Sequence, residues 1–323
     1  MAEISDLVPF IVGPQWGAWE PMALSMMLTG GMAMVAAALS ARQASNHART
    51  YLFALVCACA LACGLLGVFV PLEQPSRVWE FLAHPALTSW TAWGAYLVPL
   101  CLVCALILLR RTRNGSVAPR PLFLTGLAAG GLVLAYATGE LRACVGRGLW
   151  ASPWMTPVLL MAGATGAVGL ALLLGLRLPG GPGPRRAFGE RLSPWGLALS
   201  FACALLALLV RAPQGFAPYV GVWWHAPEAL MVLMGICALA ARGQGSLATT
   251  VRGVVAVLAS VILLWKIIHM AEIFGRNASL YPAGLAFADL FSAEALAALA
   301  GTAGLMIVLA VALPLLWPPA SKA

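Results

Sequence analysis

Residues 51–71 read YLFALVCACALACGLLGVFVP, a run of 21 residues without a charged side chain. At a rise of 1.5 Å per residue, such a run forms a helix of about 30 Å, which matches the hydrocarbon thickness of a bilayer. Eight further stretches have a comparable apolar character, so the sequence predicts an all-α polytopic membrane protein with about nine spanning helices. The predicted spans are 21–40, 51–71, 85–109, 121–139, 154–176, 194–210, 219–241, 250–271 and 293–317.

The loops between the predicted spans differ in charge on alternate sides of the membrane. Thirteen basic residues fall on one side, whereas the other side holds five basic residues and nine of the eleven acidic residues. By the positive-inside rule, the first side is the cytoplasm. We therefore predict that the amino terminus lies outside and the carboxyl terminus inside.

The composition indicates the same class of protein. Hydrophobic residues make up 62% of the chain and charged residues 9%, far from the averages of a soluble domain. The net charge of +8 comes from arginines in short loops that form no continuous patch, so nucleic-acid binding is not expected. The first nineteen residues contain Glu3 and Asp6 and no basic region ahead of an apolar core, so they do not resemble a cleaved signal peptide.

Seven of the eight cysteines fall inside predicted spans, where cysteine usually packs as a small apolar residue. Cys101 and Cys104 have the spacing of a redox or metal motif, but no second pair and no acidic or histidine partner lies beside them. Core packing is the favoured interpretation. The sequence has no ferredoxin-type cysteine run, so we expect any iron–sulfur cluster in another subunit.

A segment rich in Gly, Pro and Arg at 179–193 divides the chain. It is the longest predicted cytoplasmic loop and has the composition of a linker. Five predicted spans precede it in residues 1–178 and four follow it in residues 194–323, so we predict two helical bundles.

Polar and aromatic side chains approach the predicted outer face of the first bundle. An aromatic belt at the lipid headgroups explains several of the tryptophans. It explains less well why a histidine, a tyrosine and a carboxylate approach one face. The candidates are His84, Ser89, Trp90 and Trp93 around the start of the third span, Tyr136 and Glu140 at the end of the fourth, and Trp154 at the start of the fifth.

The run HPALTSWTAWGAY at 84–96 resembles the third-helix signature of the NrfD or polysulfide-reductase membrane-anchor family. The motif YATG at 136–139, followed by WASPWMTP at 150–157, is similar to the family's tyrosine and glycine at a helix end and its tryptophan and proline opening the next helix. The glycine pair at 30–31, after an outer-face tryptophan, is similar as well. The resemblance covers roughly residues 16–175, and beyond it only the hydropathy matches.

The resemblance implies a subunit of a bacterial inner (cytoplasmic) membrane that binds a quinone or quinol and exchanges electrons with a ferredoxin-like iron–sulfur subunit. That partner normally serves a molybdopterin catalytic subunit or a related oxidoreductase. Family members carry no haem or cluster in the membrane subunit itself, and by position Tyr136 matches the tyrosine implicated in quinone binding. Two features depart from the family: several members have eight spans, and here the loop at 140–149 contains Cys144 and two arginines.

A quinone head group needs hydrogen-bond partners for two oxygens, a group that exchanges protons with water, and apolar walls. Tyr136 is the candidate partner for one oxygen, and His84 or Glu140 is the candidate proton donor or acceptor. The remaining predicted cofactor-binding residues, which include the candidate walls, are Ser89, Trp90, Trp93 and Trp154.

A second polar group lies in the last four spans. His225 and Glu228 are three residues apart, and Lys266, His269 and Glu272 repeat this spacing, so each set is expected on one helical face. Lys266 and Glu228 come to similar depths, about 9 to 12 Å from the outer helix ends, and we predict that they pair because an isolated charge is costly there. The group is interpreted as an ion-pair network, as a proton route, or through its two histidines as a haem site.

Three functional classes follow from these patterns. The favoured one is a quinone-reactive anchor of a respiratory oxidoreductase, and the others are a haem-bearing cytochrome b type subunit and a transporter of small solutes or protons. A transporter would favour interrupted helices at matching positions of two halves, and the sequence contains no such pair.

Overall fold

The computed structural model describes residues 17–43, 46–84, 86–113, 119–144, 147–177, 184–212, 220–241, 246–274 and 283–318. These residues form helices joined by short connections. Nine helices within the described ranges are long and apolar enough to cross a membrane. The chain is therefore a multi-pass helical membrane protein, and its orientation in the membrane stays a prediction.

We number the nine long helices α1 to α9 in chain order. They are α1 Trp19–Ser40, α2 His47–Phe69, α3 Trp90–Thr112, α4 Arg120–Ala143, α5 Met155–Arg177, α6 Pro184–Leu209, α7 Ala226–Ala240, α8 Ser246–Ile267 and α9 Ala293–Leu316. A 3₁₀ turn at Gly221–His225 leads into α7, and another at Met270–Phe274 follows α8. We call the end at which α3 begins and α4 ends the predicted outer end, and the opposite end the predicted cytoplasmic end.

The third and fourth spans have boundaries that differ from the predicted ones. α3 begins at Trp90 instead of residue 85, because Ser89 has an extended backbone that separates the helix from the preceding connection. α4 continues past Gly139 to Ala143, since polar residues such as Glu140 can extend a helix beyond its apolar part. Glu140 therefore lies on the same helix as Tyr136, one turn later.

The predicted linker at 179–193 is shorter in the structure. α6 begins at Pro184, so residues 184–193 form its first turns. A proline suits the first position of a helix because the N–H group that it lacks would have no partner there. Residues 178–183 lie outside the described residues.

α1 is central to the helix packing, where it contacts α2, α4 and α5 extensively. α3 packs between α2 and α4, whereas α5 makes its largest contact with α8, and α7 joins α6 and α8. The fifth span, predicted as part of the first bundle, thus also packs against helices of the second half. Small residues allow the helices to pack closely. A Cβ on Gly163 would lie 2.8 Å from the Leu28 carbonyl oxygen, and one on Gly169 would lie 2.9 Å from that of Gly253.

α9 is the most peripheral of the described spanning helices. Only 22% of its apolar window is buried, against 83% for the span built on α8. Its first turn is held by Glu294, which accepts a hydrogen bond from the Ala18 N–H at 2.8 Å, and its end by the Tyr51 hydroxyl, which donates to the Trp317 carbonyl at 2.8 Å. Between these attachments, an apolar crevice of about 410 Å³ separates α9 from α1, α5 and α8.

Candidate functional site

The start of α3 and the end of α4 form a small polar site. Tyr136 and Glu140 are four residues apart on α4, so that the tyrosine hydroxyl and the carboxylate lie on one face of the helix and interact electrostatically. Thr91 on α3 donates from Oγ1 to Oε1 of Glu140 at 3.1 Å. Tyr136 is 4% exposed and Glu140 is partly buried. We call these three residues the α3–α4 site.

Two glycines allow the aromatic side chains to lie against the helix backbones here. A Cβ on Gly94 would overlap the ring of Tyr136 and lie 2.5 Å from its hydroxyl oxygen. A Cβ on Gly139 would lie 2.8 Å from the ring of Trp90. Tyr136 thus reaches across to α3, and Trp90 reaches back to α4. The position of the tyrosine hydroxyl therefore depends on glycine at position 94.

His84 and Ser89 line a different feature, an open pocket of about 490 Å³ beside the connection between α2 and α3. An exposed ion pair between Arg77 Nε and Glu80 Oε1, at 2.6 Å, also lines it. Hydrogen bonds from the Arg77 guanidinium hold the pKa of the Glu80 carboxyl below its ordinary value. The residues of the α3–α4 site do not line this pocket. The structure thus separates His84 and Ser89 from Tyr136 and Glu140.

The predicted aromatic walls differ in their exposure. Trp90 is 42% exposed and packs at the α3–α4 site, whereas Trp93 is 44% exposed and lines a pocket of about 260 Å³ on another face of α3. Trp154 is 79% exposed and lies at the surface just before α5. Trp150, the first residue of the motif at 150–157, is instead buried, and its Nε1–H donates to the Ile267 carbonyl at 2.6 Å.

Lys266 and Glu228 form the buried ion pair that their depths predict. Nζ of Lys266 contacts Oε1 of Glu228, donates to the Ala207 carbonyl at 2.9 Å, and lies 4.5 Å from the ring centre of Trp224. Lys266 is 0% exposed and Glu228 is 2% exposed. Because these groups come from α8, α7 and α6, the lysine connects three helices. We call Lys266 and Glu228 the buried pair.

His225 connects the buried pair to the protein surface. Its Nδ1 lies 3.3 Å from Oε1 of Glu228, and its side chain is 54% exposed. The second carboxylate oxygen of Glu228, Oε2, is buried and has no hydrogen-bond partner in the part of the chain that the structure describes. In the Glu228 carboxylate, Oε1 thus contacts both Lys266 and His225, whereas Oε2 contacts neither.

His269 and Glu272 have partners outside the buried pair. Nε2 of His269 lies 3.2 Å from Oδ2 of Asp289, and its ring stacks on Trp265 at 4.3 Å. Glu272 meets Arg147, whose Nη2 is 3.6 Å from Oε1 and whose Nη1 donates to the backbone carbonyl at 3.1 Å. Both residues follow the end of α8 at Ile267, and Glu272 lies within the 3₁₀ turn at Met270–Phe274. These partners are thus different from those of Lys266, and the shared helical face stays a prediction.

Arg147 and Trp150 form a contact that residue spacing did not predict. The Arg147 guanidinium lies 4.8 Å from the ring centre of Trp150, so that the two residues pack together against the end of α8. They belong to the connection after α4, which directly follows the α3–α4 site. Sequence spacing gave no signal for this contact, since its partners are more than 115 positions away along the chain.

Six of the seven cysteines in predicted spans are buried as predicted, whereas Cys237 is exposed. Cys101 and Cys104 are 0% and 4% exposed within the core, and each is a free thiol. In the described ranges, no group of three or more His, Cys, Asp and Glu side chains is arranged to hold a metal ion.

No protein-family model matches the chain, and a search of curated proteins gives no significant match. The resemblance to the NrfD family therefore rests on the motif residues and stays a prediction. Four of those residues come together in the structure, where Gly94 lies against Tyr136 and Gly139 lies against Trp90. The structure supports assignment as a multi-pass helical membrane protein with a polar site between α3 and α4.

Proposed function

We propose that the chain is the quinone- or quinol-binding membrane subunit of a respiratory oxidoreductase complex. The observation that carries this proposal is the arrangement at the α3–α4 site, where the buried Tyr136 hydroxyl lies over Gly94 and Thr91 donates a hydrogen bond to the Glu140 carboxylate one turn away. A bound quinol supplies two electrons and two protons. The residues of the site are suited to holding a head-group oxygen and to receiving one of those protons.

In this proposal the Tyr136 hydroxyl, held over Gly94, directs its single O–H hydrogen to a head-group oxygen and no longer to Glu140. Glu140 accepts a proton at its carboxylate, and the Thr91 hydroxyl keeps that carboxylate in place. Glu140 lies three residues before the end of α4, so a proton on it is only about 5 Å from the helix end along the axis. The path by which this proton reaches water at the predicted outer end is therefore short.

The outer surfaces of α3 and α4 suit the approach of an apolar ligand from the bilayer. Both helices expose large aliphatic side chains that would face lipid, and Trp90 offers an aromatic surface beside the site. A quinone with an apolar tail can thus reach the site by lateral diffusion. The exposed aliphatic residues are Leu100, Val103 and Ile107 on α3, and Leu124 and Leu132 on α4.

Electrons are exchanged with a ferredoxin-like iron–sulfur subunit, which in turn serves a molybdopterin catalytic subunit. The proposed contact surface is the connection between α2 and α3, at the predicted outer end. It exposes Val78, Trp79 and Leu82, which are 42%, 56% and 53% exposed, around the Arg77–Glu80 ion pair. Aromatic and aliphatic residues with a charged rim are typical of protein interfaces.

The test is a titration of the purified full-length protein in detergent with a quinol analogue, followed by quenching of tryptophan fluorescence. We expect saturable quenching, and weakening of affinity by about three- to tenfold or more in Tyr136→Phe, since one hydrogen bond is removed. Tyr51→Phe is the matched control, because that tyrosine is equally buried and hydrogen-bonded but lies at the predicted cytoplasmic end. An unchanged affinity in Tyr136→Phe, or no saturable quenching of the wild type, would contradict the proposal.

The cytochrome alternative has less support from the contacts of its histidines. His225 is bonded to Glu228, whereas His269 is bonded to Asp289 and stacked on Trp265. Axial ligation of a haem would require both imidazoles to leave these partners. The visible spectrum of the same purified sample tests this alternative directly, because a haem band lost in His225→Ala and His269→Ala would favour it.

A further inference from the structure

Buried polar side chains continue from the buried pair towards the predicted cytoplasmic end, along α5, α6 and α8. One turn from Ala207 on α6, Cys203 Sγ lies 3.1 Å from Thr165 Oγ1 on α5. Ser200 follows on α6, and near the start of the same helix Ser193 Oγ accepts a hydrogen bond from Arg252 Nη1 of α8 at 3.0 Å. We call Cys203, Thr165, Ser200, Ser193 and Arg252 the polar column.

The positions of these residues form a continuous face. Ser193, Ser200 and Ala207 are seven residues apart on α6, which is close to two helical turns, so they point in nearly the same direction. Cys203 and Thr165 are 0% exposed and Ser200 is 1% exposed, within an otherwise apolar core. From Lys266 to Arg252, the column covers about 21 Å along α8, which is most of the hydrocarbon thickness.

A hydroxyl without a partner lies beside the middle of the column. A Cβ on Gly166, the neighbour of Thr165, would overlap the hydroxyl of Thr29 from α1 and lie 3.1 Å from Oγ of Ser260. The Thr29 hydroxyl is fully buried and makes no hydrogen bond to the described residues. Buried hydroxyls are nearly always satisfied, by protein or by ordered water. Thr29 thus adds an unsatisfied polar group to the packed core of the described helices, next to Gly166 and Ser260.

We propose that α5, α6, α7 and α8 form a proton path across the membrane, in which the buried pair links the polar column to His225. In this path the polar column carries protons between the predicted cytoplasmic end and Lys266. Glu228 carries them between Lys266 and the half-exposed imidazole of His225. Ionisable residues inside membrane spans are costly and typically mark ion or proton pathways. A purely structural pair would explain the contact between α7 and α8, but it would not explain polar residues that continue along α6.

The transfer steps conserve one proton and involve no electrons. The Lys266 ammonium gives a proton to the Glu228 carboxylate, leaving a neutral amine and a carboxylic acid. The carboxylic acid passes the proton to Nδ1 of His225, which releases it to water at the surface. The amine then takes a proton through the column, with water bridging the hydroxyls, and the reverse direction uses the same steps.

Other titratable groups near the buried pair belong to the segment after α8 and its partners. These are His269 with Asp289, and Glu272 with Arg147, and each is engaged in its own pair. On α6 the nearest titratable group of the column is Cys203. The proposed path uses the polar column, the buried pair and His225, none of which belongs to the α3–α4 site, so it does not depend on quinone binding there.

The test is proton flux into liposomes that contain the full-length protein. A potassium gradient with valinomycin sets the membrane potential, and a trapped pH-sensitive dye reports the interior pH. We expect faster flux with the wild type than in protein-free liposomes. Flux should fall about tenfold or more in the double variant Glu228→Gln with Lys266→Met, because both titratable groups are removed. The double change leaves neither partner as an isolated buried charge.

A second pair of variants tests the column. Thr165→Val should slow the flux severalfold, whereas Thr112→Val should not, since Thr112 is also buried and bonded to its own helix backbone but lies on α3. Circular dichroism and thermal unfolding check that each variant is folded. Wild-type flux equal to that of protein-free liposomes, or equal to that of the folded double variant, overturns the proposal. If the double variant does not fold, equal flux in Thr165→Val and Thr112→Val overturns it instead.

Discussion

Replacing Gly94 by alanine is expected to displace the Tyr136 hydroxyl while α3 stays helical. The added Cβ would lie 2.5 Å from the hydroxyl oxygen, whereas non-bonded heavy atoms pack at about 3.5 Å. The phenol must therefore move by about 1 Å. Hydrogen bonds weaken steeply beyond about 3.2 Å between heavy atoms, so a displacement of this size breaks a bond of ordinary length.

The displacement should weaken ligand binding more than it weakens the fold. Loss of one hydrogen bond to the neutral head group is worth about 0.5–1.5 kcal/mol, so the affinity for the quinol analogue should fall about three- to tenfold, as in Tyr136→Phe. The change in the free energy of unfolding should be smaller than the repacking of Tyr136 alone would cause. Alanine stabilises a helix interior by about 0.5–1 kcal/mol relative to glycine, and this offsets part of the cost.

Gly131→Ala is the matched control for this substitution. Gly131 lies on α4, and a Cβ added there meets no atom within 4 Å. Both variants would be titrated with the same quinol analogue by fluorescence quenching and then compared in thermal unfolding. Unchanged affinity in Gly94→Ala would refute the role of the tyrosine hydroxyl, and equal losses in both variants would assign the effect to helix propensity.

Two further substitutions test the contacts of the second half. Lys266→Met should lower the free energy of unfolding by about 3–5 kcal/mol, because Glu228 would keep a buried charge without its partner. Adding Glu228→Gln should recover much of this loss in denaturant titrations. No recovery would contradict the pairing. Trp150→Phe should lower the free energy of unfolding by about 1–3 kcal/mol, since a backbone carbonyl at the end of α8 loses its donor. Replacement of the exposed Trp154 by phenylalanine should change this free energy by less than about 0.5 kcal/mol. Equal shifts of the melting temperature in the two variants would contradict the assigned roles.

Hydropathy predicted the number and approximate position of the spanning helices, because a bilayer requires about 20 apolar residues for each crossing. It did not predict where α3 begins or α4 ends. At the headgroup level, polar residues occur both in loops and in the last turn of a helix, so composition does not separate the two. Glu140, which follows the predicted span 121–139, lies in the last turn of α4.

Residue spacing predicted contacts in two situations: where two residues lie one turn apart on a helix, and where a charge in the membrane requires a partner. Tyr136 and Glu140 meet because four residues make about one turn, and Lys266 meets Glu228 because neither charge is stable alone at that depth. His84 lies in an irregular connection, whose direction no periodicity defines. The contacts of Arg147 join segments far apart in the sequence, so only the packed structure reveals them.

The packed core depends less on α9 than on any other described spanning helix, because α9 is the least buried of them. One side of its interior borders the crevice, whereas the other side packs on α2, where the Cys63 thiol donates to the Thr302 carbonyl at 3.4 Å. Removal of α9 would therefore expose one face of α2 to lipid and leave the contacts among the other eight described spanning helices in place. In this architecture the last helix is an addition to the edge of a bundle that the preceding helices already form.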